Sequence, residues 1–94
     1  MVWVIRDFRN KGLAELFNTG KTKRIKADLA TRVERCLTYL RDAIAPEDMN
    51  LPGLRFHPLH GNPRRYSVSV SGAWRITFGW DGADAVQVDL EQYH

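Results

Sequence analysis

The chain has one cysteine, Cys36, and no apolar run near the roughly 20 residues a membrane span needs. It also has no Asp or Glu anywhere from Met49 to Trp80. Each shortage excludes something. A lone thiol forms no internal disulfide, and no Cys or His pair stands at zinc spacing, so a reducing, intracellular setting is expected. The apolar opening Val2-Trp3-Val4-Ile5 is too short for a signal-peptide core and runs straight into charge, so a cytoplasmic protein is expected. There is no glycine-rich phosphate loop, no carboxylate cluster of the kind that holds Mg²⁺, and no nucleophile elbow around Ser67, Ser69 or Ser71. No metal or cofactor is called for.

What is present suffices for one folded domain spanning residues 1–94. Hydrophobic residues make up 44% of the chain, with three Trp, three Tyr and four Phe, which supplies a core and argues against disorder. The formal net charge is +3, and its distribution is uneven. Residues 1–45 hold ten Lys/Arg against five Asp/Glu, while residues 46–94 hold four against six. A basic first half suggests a polyanionic partner.

The periodicity divides the chain in two. Val2–Ile5 reads as a first strand. Leu13, Leu16 and Phe17 recur at helical spacing between about Asn10 and Asn18, with Gly20 placed as a cap. Ile25, Leu29, Val33, Cys36, Leu37, Leu40 and Ile44 form the stripe of a longer amphipathic helix, which Pro46 stops. Cys36 falls in that stripe, so packing is its expected role. Glu47 to Gly53 is a loop. The period then becomes two, giving strands over 54–59, 65–70, 74–80 and 84–90. Ser71-Gly72 and Asp81-Gly82 are tight-hairpin signals, so the last three strands form an antiparallel meander. The predicted fold is α+β: two helices packed on one face of a small, mostly antiparallel sheet, in the order β-α-α-β-β-β-β.

The chemistry concentrates in 54–80. Arg55, His57, His60, Arg64, Arg65 and Arg75 alternate with apolar residues, so one face becomes core while the other gathers bases. Arginine's planar fork suits phosphate, and imidazoles near neutral pKa can serve as acid and base. His60, beside Gly61 and Asn62, is placed in a loop as a phosphate contact. In the last strands Val86, Val88 and Leu90 are set against Gln87 and Asp89. Continued past Leu90, the buried side would receive Gln92 and His94, which are polar, so either the C-terminus frays or the sheet ends at a cleft that these two side chains line, with His57 as a second imidazole that the sheet can bring near His94. Lys21, Lys23, Arg24 and Lys26 form a second basic cluster before the longer helix.

Several of these segments together have a specific likeness. Asn50-Leu-Pro-Gly-Leu-Arg-Phe-His-Pro-Leu-His-Gly61, Gly72-Ala-Trp-Arg-Ile-Thr-Phe78 and the closing Tyr93-His94 resemble HigB-type toxins of the RelE/ParE superfamily. Phe8-Arg-Asn-Lys-Gly-Leu13 and Leu16-Phe17-Asn-Thr-Gly20 extend the likeness to nearly the whole chain. The resemblance implies a toxin of a type II toxin–antitoxin system: a ribosome-dependent endoribonuclease that cuts mRNA in the A site without metal. It also implies a helix-turn-helix antitoxin of the HigA type that neutralises the toxin and binds operator DNA with it. Family functional residues map onto His57, Tyr93 and His94, with Arg75 as a phosphate contact. Two positions depart from the family pattern. Gln92 stands where Asp often precedes Tyr-His, and His60 stands where Lys often follows His-Pro-Leu; loss of that Asp implies weakened or re-routed proton transfer. Two further readings share the fold: a non-catalytic ParE-like poison of a protein target such as DNA gyrase, and an RNA-binding module without chemistry.

Overall fold

A computed structural model describes residues 5–92. Its elements are α1 (Lys11–Thr19), α2 (Ala27–Asp42), a 3-10 turn (Pro46–Met49), β1 (His57–Leu59), β2 (Arg65–Ser71), β3 (Trp74–Asp81) and β4 (Asp84–Gln92). The four strands make one antiparallel sheet in the order β1-β2-β3-β4. The expected α+β architecture is therefore present.

Helix α1 begins where Asn10, in an extended conformation, accepts from the Leu13 N–H at 3.1 Å, and it ends where Gly20 turns left-handed at φ 79°. Such an N-cap contributes about 1 kcal/mol. Helix α2 is shorter than its apolar stripe. Ile25 is buried but precedes the helix, held against α1 at Gly12, where a Cβ would come within 3.1 Å of it. Ile44, expected in the core stripe, is instead 84% exposed. The helix stops at Asp42, and the Asp48 carboxylate collects the N–H groups of Ile44 and Ala45, turning the chain outward. Met49, from the segment expected to be a loop, is fully buried in the core.

One face of the sheet packs on the helices. Val68, Ile76, Phe78 and Val88 join Leu13, Leu16, Val33, Leu37 and Leu40 in a single core. On this face Phe56, Tyr66, Phe78 and Trp80 form an aromatic row with centroid spacings of 5.7, 5.6 and 6.5 Å. Each such pair adds about 0.5–1.5 kcal/mol beyond burial. Both hairpins turn where Ser71-Gly72 and Asp81-Gly82 predicted, with Gly72 at φ 57° and Gly82 at φ 67°.

Two strand expectations require correction. The strand predicted over 54–59 begins only at His57, because Arg55 sits at φ 50°; the Leu54 carbonyl nevertheless accepts from Ser69 N–H at 2.6 Å. In β4, Val86 does not share a face with Val88. Gln87 adopts φ 51° in a bulge opposite β3, and Val86 pairs with Gly79 on the other side of the sheet. Of the strand predicted over 2–5, only Ile5 lies within the described residues. It bridges Ala85 in parallel, and Phe8 likewise bridges Val88, so residues 5–8 run along the outer edge of β4.

Candidate functional site

The face turned away from the helices carries the polar residues. Cross-strand register arranges them in rows. His57, Ser67, Thr77 and Asp89 make one row; Leu59, Arg65, Gly79 and Val86 make the next; Ser69, Arg75 and Glu91 make a third. The alternation of period two thus places His57, Arg65 and Arg75 on one surface.

Arg65 is the most constrained of them. Its Nη2 donates to the Gln87 carbonyl at 2.8 Å and to Thr77 Oγ1 at 3.2 Å, so the guanidinium lies across β3 toward β4. The guanidinium passes beside Gly79, where a Cβ would stand in ordinary contact with Arg65 Nη1 at 3.7 Å and more tightly against Val86 Cγ2 at 3.3 Å. Burial, then the nearby Arg9 charge, lowers the Arg65 pKa from its ordinary value, while Glu91 and Asp89 oppose that shift. The reason is the ordinary one for a half-buried cation, whose charged form loses hydration.

Thr77, only 2% exposed, passes the contact on by donating its hydroxyl to the Glu91 carboxylate. Glu91 is also the cross-strand partner of Arg75, whose Nε and Nη1 are buried. The Ser67 hydroxyl is fully buried between His57 and Thr77, and it has no hydrogen-bond partner among the described residues. Long side chains laid over the sheet therefore cover a polar interior on the face opposite the core.

The N-terminal segment braces this face from the β4 edge. Asp7 accepts from the backbone N–H of Gln87 at 2.5 Å and from its side-chain amide at 2.6 Å, and Arg9 Nε donates to Gln87 Oε1 at 3.1 Å. Arg6 pairs with Asp81 and, at 2.8 Å, with Asp84.

The other predicted residues lie apart. His60 and Arg64 are exposed in the connection between β1 and β2, which contains a cis Asn62–Pro63 bond, and Arg55 is exposed before β1. Tyr93 and His94 lie outside the described residues. Gln92 pairs with Trp74 on the helix-facing side of the sheet and is exposed, not buried. β1 and β4 are opposite edges, three strand spacings or about 14 Å apart, so His57 and the end of β4 flank the arginines from two sides. Among the described residues, no three His, Cys, Asp or Glu side chains group to hold a metal ion. No helix among them is long and apolar enough to cross a membrane.

Sequence reasoning set Thr77, Gln87 and Asp89 on the polar side of their strands without giving them a role, and passed over Glu91 and Arg9. Continuing the alternation of β4 past Asp89 finds Glu91. Nothing local marks Arg9, which reaches the face only through Gln87.

Residues 6–94 match the family model described as the RelE-like toxin of the type II toxin–antitoxin system HigB. The chain is also 34% identical over 92 residues to a protein of Proteus vulgaris called Endoribonuclease HigB, covering 97% of this chain and 100% of that one.

Proposed function

Because the chain belongs to the HigB-like toxin family, we propose that it is an endoribonuclease that cuts mRNA on the ribosome, with the outer face of the sheet as its RNA surface. The observation that carries this reading is the common face of His57, Arg65 and Arg75, with Thr77 and Glu91 between the arginines. An RNA strand lying over that face meets two guanidinium groups fixed by the sheet rather than by loops. Fixed cations of this kind stabilise a phosphorane without reorganising as charge develops.

The nucleophile is the RNA's own 2′-hydroxyl. It attacks the adjacent phosphorus as a base removes its proton, the bond to the 5′-oxygen breaks, and an acid protonates that oxygen. A 2′,3′-cyclic phosphate and a 5′-hydroxyl result. His57, Tyr93 and His94 are the groups assigned to these two proton transfers. A positioned acid or base contributes about 10²–10⁴-fold each. Arg65 and Arg75 hold the reacting phosphate, and Arg55, His60 and Arg64 contact the strand beyond it. Gln92 faces the helix side with Trp74, so the carboxylate opposite the arginines is Glu91, one position before the family's usual Asp.

The partners that follow are a HigA-like helix-turn-helix antitoxin, the translating ribosome with its mRNA, and operator DNA through the antitoxin complex, all in the cytoplasm. The test is primer extension on mRNA after induction of the parent, His57→Ala and His94→Ala. Cleavage by the parent, with loss of about 10²-fold or more in each variant, is expected. A 2′-deoxy nucleotide at the cut position must abolish cutting. Full toxicity of His94→Ala without mRNA cleavage would favour the poison reading instead.

A further inference from the structure

A cavity of about 550 Å³ opens on the helix-facing side of the sheet, where β2 turns into β3. It falls within the range of about 300–1,000 Å³ usual for small-ligand sites. Half-buried Trp74 forms part of its apolar lining, and Arg24, Lys26 and Arg32 stand around it. One carboxylate, Asp28, shares the wall, and its Oδ1 already accepts from the Leu29 N–H at 3.0 Å. Arg24 is tied to Glu15 at 3.4 Å. Lys26 and Arg32 have no ion-pair partner among the described residues.

The cavity adjoins the outer face described above. Trp74 immediately precedes Arg75, so the two side chains leave adjacent residues on opposite faces of β3. Trp74 also pairs with Gln92, the residue before Tyr93. A bulge between Ser69 and Ser71 makes Ser71 the partner of Trp74 and brings both into the cavity wall. Trp74 is the first residue of β3, so an RNA strand passing Arg75 reaches the cavity by rounding the end of the sheet.

We infer that this cavity is a second RNA subsite, taking one nucleotide that flanks the cut. Its base stacks on the Trp74 indole, and its phosphate is held by Lys26 and Arg32. An aromatic face beside unpaired cations is the arrangement by which single strands are held without sequence readout. The inference rests on the endoribonuclease reading and extends the bound strand around the end of the sheet.

The test uses the full chain and a single-stranded RNA carrying 2′-deoxy at the cut position, with 5-iodouridine beside it for photocrosslinking. The same RNA without the deoxy substitution is cleaved in a translation extract. The Lys26→Glu/Arg32→Glu variant changes only exposed side chains. It should raise KM about tenfold or more with kcat within about twofold, as loss of charge-assisted phosphate contacts predicts. The slope of log affinity against log salt should fall by about 0.7 for each lost contact. Crosslinks should map to the peptide containing Trp74. If the variant cuts RNA with unchanged KM and crosslinks fall only on outer-face peptides, the subsite is refuted while the nuclease stands. Loss of antitoxin neutralisation with unchanged KM would assign the cavity to a protein partner and likewise refute it. A parent chain that neither binds nor cuts RNA would overturn both readings.

Discussion

The buried hydroxyl of Thr77 donates to the Glu91 carboxylate while accepting from Arg65 Nη2, so one side chain on β3 links a cation from β2 to an anion from β4. Replacing Thr77 by Val keeps the shape and removes both contacts. Among the described residues Arg65 would then keep its bond to the Gln87 carbonyl alone, and a half-buried N–H would lose its partner. Thr77→Val should lower unfolding free energy by about 1–3 kcal/mol in a urea titration. Thr77→Ser retains the hydroxyl and should recover most of the RNA cleavage lost in the Val variant. Equal activity in the two would show that the link plays no part in holding Arg65.

Gly79 offers a second way to displace the same guanidinium. Its backbone needs no left-handed conformation; what matters is the empty space beside Arg65 and Val86. Alanine there meets Val86 Cγ2 at 3.3 Å, a contact small enough for the valine to yield. Valine at position 79 fills the path that Arg65 takes across β3. Gly79→Val should cost about 1–3 kcal/mol through overpacking and reduce cleavage at least tenfold, whereas Gly79→Ala should do much less. Comparing melting and primer extension for the pair separates misplacement of Arg65 from simple unfolding.

The sheet and helices were legible because apolar periodicity reports burial, and burial decides both elements. Ser71-Gly72 and Asp81-Gly82 fixed the hairpins for an equally local reason: tight turns need a residue that tolerates positive φ. The site was legible only in part. Arg65, Arg75 and His57 follow from alternation within single strands, but the carboxylates facing them come from β4, beyond the acid-free stretch. Their arrival depends on register, which the alternation of one strand does not specify. Val86 was misassigned because a bulge adds a residue that a pattern of two cannot register. Ile44 was misassigned because its helix is ended by Asp48, a side chain four residues further on.

Gln87 carries the bulge at a backbone cost. A non-glycine residue in the left-handed region loses about 1–2 kcal/mol relative to its usual conformation. Here its amide groups also bind Asp7 and Arg9, which offsets that cost. The two effects separate by substitution. Gln87→Ala removes the side-chain bonds and keeps the strain, so it should be the least stable form. Gln87→Gly removes both and should be more stable than Gln87→Ala by about 1–2 kcal/mol. Denaturant midpoints of the three proteins check this order. A glycine variant no better than alanine would mean that the bulge relaxes when the Asp7 clamp is lost.

Cys36 makes a prediction about pH. Its thiol is 4% exposed in the core, and burial raises its pKa above the ordinary value, with Arg35 opposing weakly. A raised folded-state pKa means the unfolded chain ionises first, at about 8.5, while the folded thiol stays neutral. The stabilisation is therefore fully present below that pH and declines as pH rises toward the folded value. Cys36→Ala removes the titration and leaves a packing defect that does not depend on pH. The stability gap between parent and variant should thus be widest near pH 7 and narrow by pH 9.5, in urea titrations at both values. Iodoacetamide should modify the native thiol far more slowly than the urea-unfolded one at the same pH. A gap that does not change with pH, or rapid modification of the folded protein, would show that the core around α2 admits water to the thiol.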